Sequence, residues 1–352
     1  MTRVTSNVQG SRGAVPAPAE TDRAQVVLAP RRRFGVLAPG GRPRFRAPRF
    51  HRTDSGLLAA VLSAVAFGTS GSFAKALLDT GWSSGAIVLL RVGGAALLLI
   101  VPALLAARGR WGLVRRESGL IALYGLVAVA GCQVAYFNAV QHLSVGVALL
   151  LEYSGTVLVV FWMWLQTRRA PRRLTWAGIL VALLGLSLVL DVTGQSRPDG
   201  GGVMWGLLAA VGLAVFFVSA GNSDRGLPPV VFAAFGMSVG AVALAVLGLV
   251  RVLPMRSGTT DVVVAAHRLP WWGAIGELAV VAAAAYLLGT FATRRLGSTV
   301  ASFVGLSEVL FAIVFAWLLL GELPRPVQLV GGVLIVLGVV AVRAGELRDP
   351  PR

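Results

Sequence analysis

Glu308, Glu152, Arg91 and Lys75 are ionisable side chains set within long apolar runs. A charge at the centre of a hydrocarbon layer costs ~2.5–3.5 kcal/mol on insertion scales. Such residues therefore face a protein interior or a wet cavity, and each is a candidate for binding chemistry. Glu308 lies about midway through its run, with Ser302 and Gly305 on the same helical face. It reads either as a substrate- or proton-binding carboxyl or as a group hydrogen-bonded to a neighbouring helix. Glu152 sits near the middle of an earlier run. Adding 153 residues to its position gives Gly305, one turn from Glu308. The two carboxyls thus occupy similar depths, and their ionisation is coupled if they approach one another.

The cations divide by chemistry. Lys75 is the only lysine among 32 basic residues of the Lys/Arg type. Arginine stays charged, whereas a buried lysine can lose its proton and take part in transfer. Snorkelling of Lys75 to the membrane interface explains it equally well. Arg91 lies too deep for snorkelling; the expectation is a structural ion pair with Glu152, the alternative a clamp for a carboxylate on cargo. Gln133, Tyr136 and Asn138 cluster within two turns, and Tyr153 and Tyr286 sit in other apolar runs. Amides and polar aromatics there suit a cavity wall, or interhelical hydrogen bonds worth ~0.6 kcal/mol each. Glu277 is shallower and ranks below the others.

Other chemistries find no support. His51, His142 and His267 fall in the tail or at loops, and no pair has metal-ligand spacing. The single Cys132 excludes a disulfide within the chain and is expected to serve packing. No nucleophile–base constellation and no phosphate-cradling glycine loop is present. The sequence therefore predicts no enzyme, no cofactor, no metal and no direct use of ATP.

The elements that hold these residues are apolar helices. The 352 residues are 56% hydrophobic and only 13% charged, with a mean hydropathy of +0.77. Crossing ~30 Å of hydrocarbon takes about 20 apolar residues as a helix. Cutting at Gly, Pro and charge clusters gives ten spans: 57–78, 84–107, 119–141, 144–166, 174–191, 203–222, 228–250, 271–293, 298–320 and 326–343. Trp82, Trp111, Trp176, Trp205, Trp271 and Trp272 lie near span ends and read as interfacial anchors. The fold class is all-α: a polytopic protein whose non-covalent partners are the lipid bilayer and a small-molecule substrate.

The net charge of +17 is concentrated in an arginine-, proline- and glycine-rich arm, residues 1–55. Such a segment buries too little apolar surface to fold and suits anionic lipid head groups; nucleic acid is not the expected partner. Arginines crowd alternate short loops (108–116, 168–173, 225, 294–295), placing both termini in the cytoplasm of a multi-pass cell-membrane protein. The 251–270 loop, placed outside, carries three arginines against that bias.

The runs are also duplicated. Trp164 matches Trp317, Pro171 matches Pro324, and Gly178 and Gly185 match Gly331 and Gly338, all 153 residues apart. Residues 56–192 and 203–343 are therefore two five-helix repeats, followed by a short tail, 344–352. An odd number of spans per copy inverts the second copy, as in transporters that bind cargo at the midplane between two halves. A channel-like facilitative exchanger, or a non-transporting scaffold or sensor, could share that layout. The paired glycines give spans five and ten smooth stripes suited to close contact within the subunit or across a homodimer.

Several motifs carry a family resemblance: Leu318-Leu319-Leu320-Gly321-Glu322 with Gly331 and Gly338, Leu90-Arg91 followed by Ala95-Ala96-Leu97-Leu98-Leu99, and Ser307-Glu308 followed by Phe311-Ala312. Over residues 56–343 the pattern resembles the EamA-like branch of the drug/metabolite transporter superfamily. The resemblance implies a secondary transporter, chiefly an exporter of small metabolites, working by alternating access. Two features depart from it. Thr156 and Val309 stand where the family often has mid-span prolines, and Arg168-Arg169 replaces the Gly-Glu pair in the first copy.

Overall fold

A computed structural model describes residues 52–143, 145–168, 170–189, 199–223, 226–321 and 323–347. The basic arm up to residue 51, Arg169, Arg197, Arg225, Glu322 and the last five residues lie outside that set. Among the described residues, nine helices are long and apolar enough to cross a membrane, and Arg173–Val189 is a shorter apolar tenth. They coincide with the ten expected spans. Span one is Arg52–Asp79, span two Ser84–Ala107, span three runs from Ser118 to His142, and span four joins Val145–Tyr153 to Gly155–Thr167. Span five is Arg173–Val189, span six Gly200–Asn222, span seven Pro229–Leu249 and span eight Trp271–Leu296. Span nine joins Ser298–Gly305 to Ser307–Leu320, and span ten is Pro326–Leu347.

Helix pairing follows the duplication. Span one packs on eight and nine as span six packs on three and four; two packs on seven, and five on ten. Exchanging the halves leaves this scheme unchanged. The contact between spans five and ten shows the handedness of the exchange. A methyl group placed on Gly178 would stand 2.8 Å from the Gly338 carbonyl oxygen, and one on Gly185 2.6 Å from that of Gly331. Repeat mates are thus crossed: 178 meets the mate of 185, and 185 meets the mate of 178. That is the signature of a self-complementary two-fold contact, and it requires antiparallel helices. Gln328 Nε2 donates to the Val189 carbonyl at 3.1 Å, joining the end of span five to the start of ten. The glycine stripes are therefore used within one subunit. A homodimer through them, which the sequence allowed, would need a different surface.

Three local features were not expected. Span three carries a wide π-type stretch over Tyr124–Gly131, after which the Cys132 amide donates to Val127, five residues back. Single wide turns of this kind recur at functional sites. Spans four and nine are each interrupted, at Ser154 and at Leu306, although neither contains the proline that would explain it. At the interruptions the amides of Val157 and Val309 donate to carbonyls three residues back, at 2.9 and 3.2 Å. Ser154 and Ser307 turn their hydroxyls onto Leu151 and Val304 at 2.5 and 2.6 Å. Serine bonded back to its own helix bends it, so the break survives without a kinking proline.

The third feature is the 251–270 loop, which folds into a small hairpin. Strand β1 (Val262–Val264) pairs antiparallel with β2 (His267–Leu269). Ser83, at the start of span two, donates to the Pro254 carbonyl at 2.7 Å and accepts from the Arg256 amide at 2.8 Å. The Ala265 amide donates to Leu319 in span nine at 2.7 Å. Val262 and Val264 are buried beside Trp82. Trp82 is therefore not an interfacial anchor as expected: at 4% exposure it is core, 5.7 Å from the Trp271 ring. The molecule thus has a hairpin end and an opposite, arginine-rich end.

Two outcomes test this architecture. Gly185→Val overfills the contact of spans five and ten and should cost about 1–3 kcal/mol, read as a lower melting temperature in detergent. Gly276→Ala, where an added methyl meets nothing within 4 Å, should not lower it. Single cysteines at positions 168 and 321 in a Cys132→Ala background should react with an impermeant maleimide from opposite sides of the membrane; same-side labelling would undo the inverted arrangement.

Candidate functional site

A cavity of about 630 Å³ opens between the halves. Its wall comes from spans one, two, three, four, six, eight and nine, while five, seven and ten contribute nothing to it. The size falls within the range that holds drug-sized ligands. Toward the arginine-rich end the packing closes. Ser298 donates to the Phe217 carbonyl at 2.9 Å, Ser63 to that of Ala285 at 2.8 Å, and Arg294 to that of Leu227. Gly56 there meets Arg295 and Leu296 so closely that a methyl group would stand 2.7 Å from the Arg295 Cβ. Toward the hairpin end the wall reaches Lys75 and Leu78, both exposed.

Of the residues singled out in the sequence, Glu308, Glu152, Arg91, Lys75, Gln133, Tyr136, Tyr153 and Tyr286 all line this cavity. Six spans contribute them, and periodicity alone could not say that their faces converge. Asn138 is a correction. Its Nδ2 donates to the Val134 carbonyl, one turn back in its own helix, at 2.8 Å, and it takes no part in the wall. Ser302 likewise turns aside to Thr299 at 2.8 Å, leaving Gly305 as the small residue that opens space beside Glu308. Glu277 stays outside the wall, with Thr69 beside its carboxyl.

The two carboxyls do approach one another. Glu152 and Glu308 lie within electrostatic reach, with the Tyr153 hydroxyl against Glu308. Cys132 is not mere packing: its Sγ–H lies 3.4 Å from Glu152 Oε1 and 3.4 Å from the Ala209 carbonyl, at the end of the wide turn in span three. Like charges in one low-dielectric cavity disfavour simultaneous ionisation, so the pair is suited to hold a cation or a proton between them.

The expected ion pair of Arg91 and Glu152 is absent among the described residues. Arg91 lies within electrostatic reach of Glu152, Glu308 and Glu277, but no carboxylate clasps it. Its guanidinium sits 5.7 Å over the Phe67 ring, and its buried Nε has no hydrogen-bond partner. The buried Ser70 hydroxyl, also in the wall, has none either. Unpartnered buried donors are rare in folded proteins, and both residues belong to the wall of the same cavity. An aromatic cluster completes the wall: Tyr286 packs on Phe67 and Phe216 at 5.2 and 5.7 Å, and Phe216 on Phe217 at 4.9 Å. The phenylalanines escaped the sequence reading because nothing in their apolar type marks a cavity wall apart from a core.

Among the described residues no group of three or more His, Cys, Asp or Glu side chains could hold a metal. The arrangement is a cavity with residues of opposite charge on its wall, set between two halves of an antiparallel duplication.

Comparison with known proteins agrees with that geometry. The family model described as EamA-like transporter family matches twice, over residues 54–191 and 200–344. The chain is similar to a protein named pseudopaline exporter CntI from Pseudomonas aeruginosa, 29% identical over 301 residues, covering 82% of this chain and 95% of that one. It is also similar to a probable terminal-alkyne amino-acid exporter from Streptantibioticus cattleyicolor, 28% identical over 258 residues, covering 70% of this chain and 80% of that one. A solved crystal structure shares the fold, with a TM-score of 0.65 at 19% identity over 84% of this chain and 99% of the other. With a duplicated helical membrane fold and a polar cavity between its halves, the chain belongs to the EamA-like transporter family.

Proposed function

We propose that the protein is an exporter of a small amino-acid-type metabolite, working by alternating access and coupled to protons. The observation that carries this reading is the convergence of Arg91, Glu152 and Glu308 on one cavity without a direct ion pair between them. An α-amino acid presents a carboxylate and an ammonium a few bonds apart. Arg91, with its planar fork of donors, suits the carboxylate, and the two acidic side chains suit the ammonium. Both relatives are named as exporters, and the printed name of one, a probable terminal-alkyne amino-acid exporter, supports this choice.

Coupling follows from competition for the carboxyls. A proton on Glu152 or Glu308 removes the charge that holds an ammonium, so proton entry from outside favours release of cargo there. The return step carries the proton inward. A cavity closed at one end and open at the other supports a carrier over a continuous pore. The charge distribution supports placing the arginine-rich end in the cytoplasm, and the cavity then faces outward. The interruptions at Ser154 and Leu306 sit beside Glu152 and Glu308, where each span can bend without unpacking its outer half.

The purified chain in proteoliposomes, with an imposed pH gradient and a panel of α-amino acids, should show amino-acid-dependent proton movement by an internal fluorescent pH indicator. Glu308→Gln and Glu152→Gln should each abolish the coupled proton flux, and Arg91→Gln should weaken cargo binding about tenfold or more. Unchanged coupled flux in both Gln variants would remove the proton role. Gly71→Leu gives a separate check. An added methyl at Gly71 meets nothing within 4 Å, so the variant should elute as folded protein yet lose flux because its side chain fills the cavity.

A further inference from the structure

The site just described uses only the inner part of the cavity. An amino-acid head held by Arg91, Glu152 and Glu308 leaves the stretch toward the hairpin end unaccounted for, and that stretch has its own polar groups. Span one supplies Ser70, Gly71, Ala74, Lys75 and Leu78 to the wall, and span two supplies Ser84. Ser70 is 3% exposed and its hydroxyl has no partner. Gly71 keeps the wall open beside it. Lys75, the one lysine of the chain, stands one turn beyond Gly71 on the same face. Phe67, under the Arg91 guanidinium, marks the inner level on the same helix. Eight residues separate Phe67 from Lys75, roughly 12 Å along the axis. The cavity therefore presents two cations at different depths, with the acidic pair and a donor hydroxyl near them.

We infer that the outer part of the cavity is a second anion-binding subsite, formed by Lys75 and Ser70 with Gly71 as its floor, and that the preferred cargo is an elongated amino acid bearing a second carboxylate. The inference rests on the amino-acid reading proposed above and extends it. The inner head fixes one end, and the second carboxylate reaches outward to the lysine. A compact ammonium on a flexible stem suits this outer position, because it can meet anions at a range of distances. Gly71 is needed because a side chain there would close the passage between the two levels. The lysine also sits at the mouth, where a positive charge attracts the trailing carboxylate as cargo leaves the acidic pair.

A length series tests this. Binding of aspartate, glutamate, 2-aminoadipate and 2-aminopimelate to the purified full chain in nanodiscs is compared, by calorimetry, with binding of the corresponding ω-amides. The acid-to-amide affinity ratio should be near one for aspartate and rise to about tenfold for the longest members, the size of one charge-assisted hydrogen bond. Lys75→Gln should bring that ratio back toward one, and Lys75→Arg should preserve it. A ratio near one throughout the series in the unmodified protein overturns the subsite and needs no variant to fold. A ratio that persists in Lys75→Gln overturns it as well. If no α-amino acid binds, the amino-acid reading itself falls and this inference with it, a result distinct from binding without a preference for the second carboxylate.

Discussion

Everything in this fold answers to the cost of placing charge at hydrocarbon depth. Arg91, Glu152 and Glu308 would each be expensive facing lipid. The molecule solves this by turning seven spans around one polar-lined cavity and leaving three spans, five, seven and ten, out of its wall. Spans five and ten carry no ionisable residue between Arg173 and Val189 or between Pro326 and Val342. They can therefore meet through bare backbone at Gly178, Gly185, Gly331 and Gly338. Polar spans gather around the cavity, and apolar ones act as the outer seam.

The same duplication that builds the seam places the charges. Each repeat contributes one carboxyl near an interruption in its fourth span, and inversion brings these two interruptions to the midplane from opposite directions. A strictly symmetric pair would bind symmetric cargo. The copies have diverged: Glu152 corresponds to Gly305, and Gln133 to Tyr286. Arg91 and Lys75 belong to the first copy alone. The result is a two-fold frame around an asymmetric wall, with Arg91 from the first half within electrostatic reach of acids from both. In the reading proposed above, symmetry would serve the exchange between two open states and asymmetry the recognition of cargo.

Much of this was legible in the residues. The constant spacing of 153 between Trp164 and Trp317, or Gly178 and Gly331, fixes the repeat without any coordinates, and odd span number then implies inversion. Eight of the nine candidate residues line the cavity because intramembrane polarity is costly enough to be a reliable sign. What composition does not carry is rotation and partner choice. Asn138 looks identical in type to a cavity amide, but a carbonyl one turn back was closer than any cargo would be. Cys132 looks like packing because a thiol is apolar by most measures, and only the wide turn before it aims the sulfur at Glu152. Trp82 and the hairpin escaped for a related reason. Their burial comes from a loop folding back over spans one and two, a long-range event with no local period.

The interruptions in spans four and nine show how far local sequence rules reach. Thr156 and Val309 stand where a proline would kink the span, yet both spans are interrupted. Inside this bundle the alternative acceptors are different. Ser154 and Ser307 satisfy their hydroxyls on Leu151 and Val304, and the amides of Val157 and Val309 tighten to i−3 partners. These bonds give the amides at each break an acceptor within the span, which lowers the penalty that an unsatisfied group would impose. Proline enforces such a break by removing a donor; here the Ser154 and Ser307 hydroxyls and the Val157 and Val309 amides all keep an acceptor. The two breaks lie beside Glu152 and Glu308, so the proposed carrier mechanism finds its most deformable backbone next to its two carboxyls.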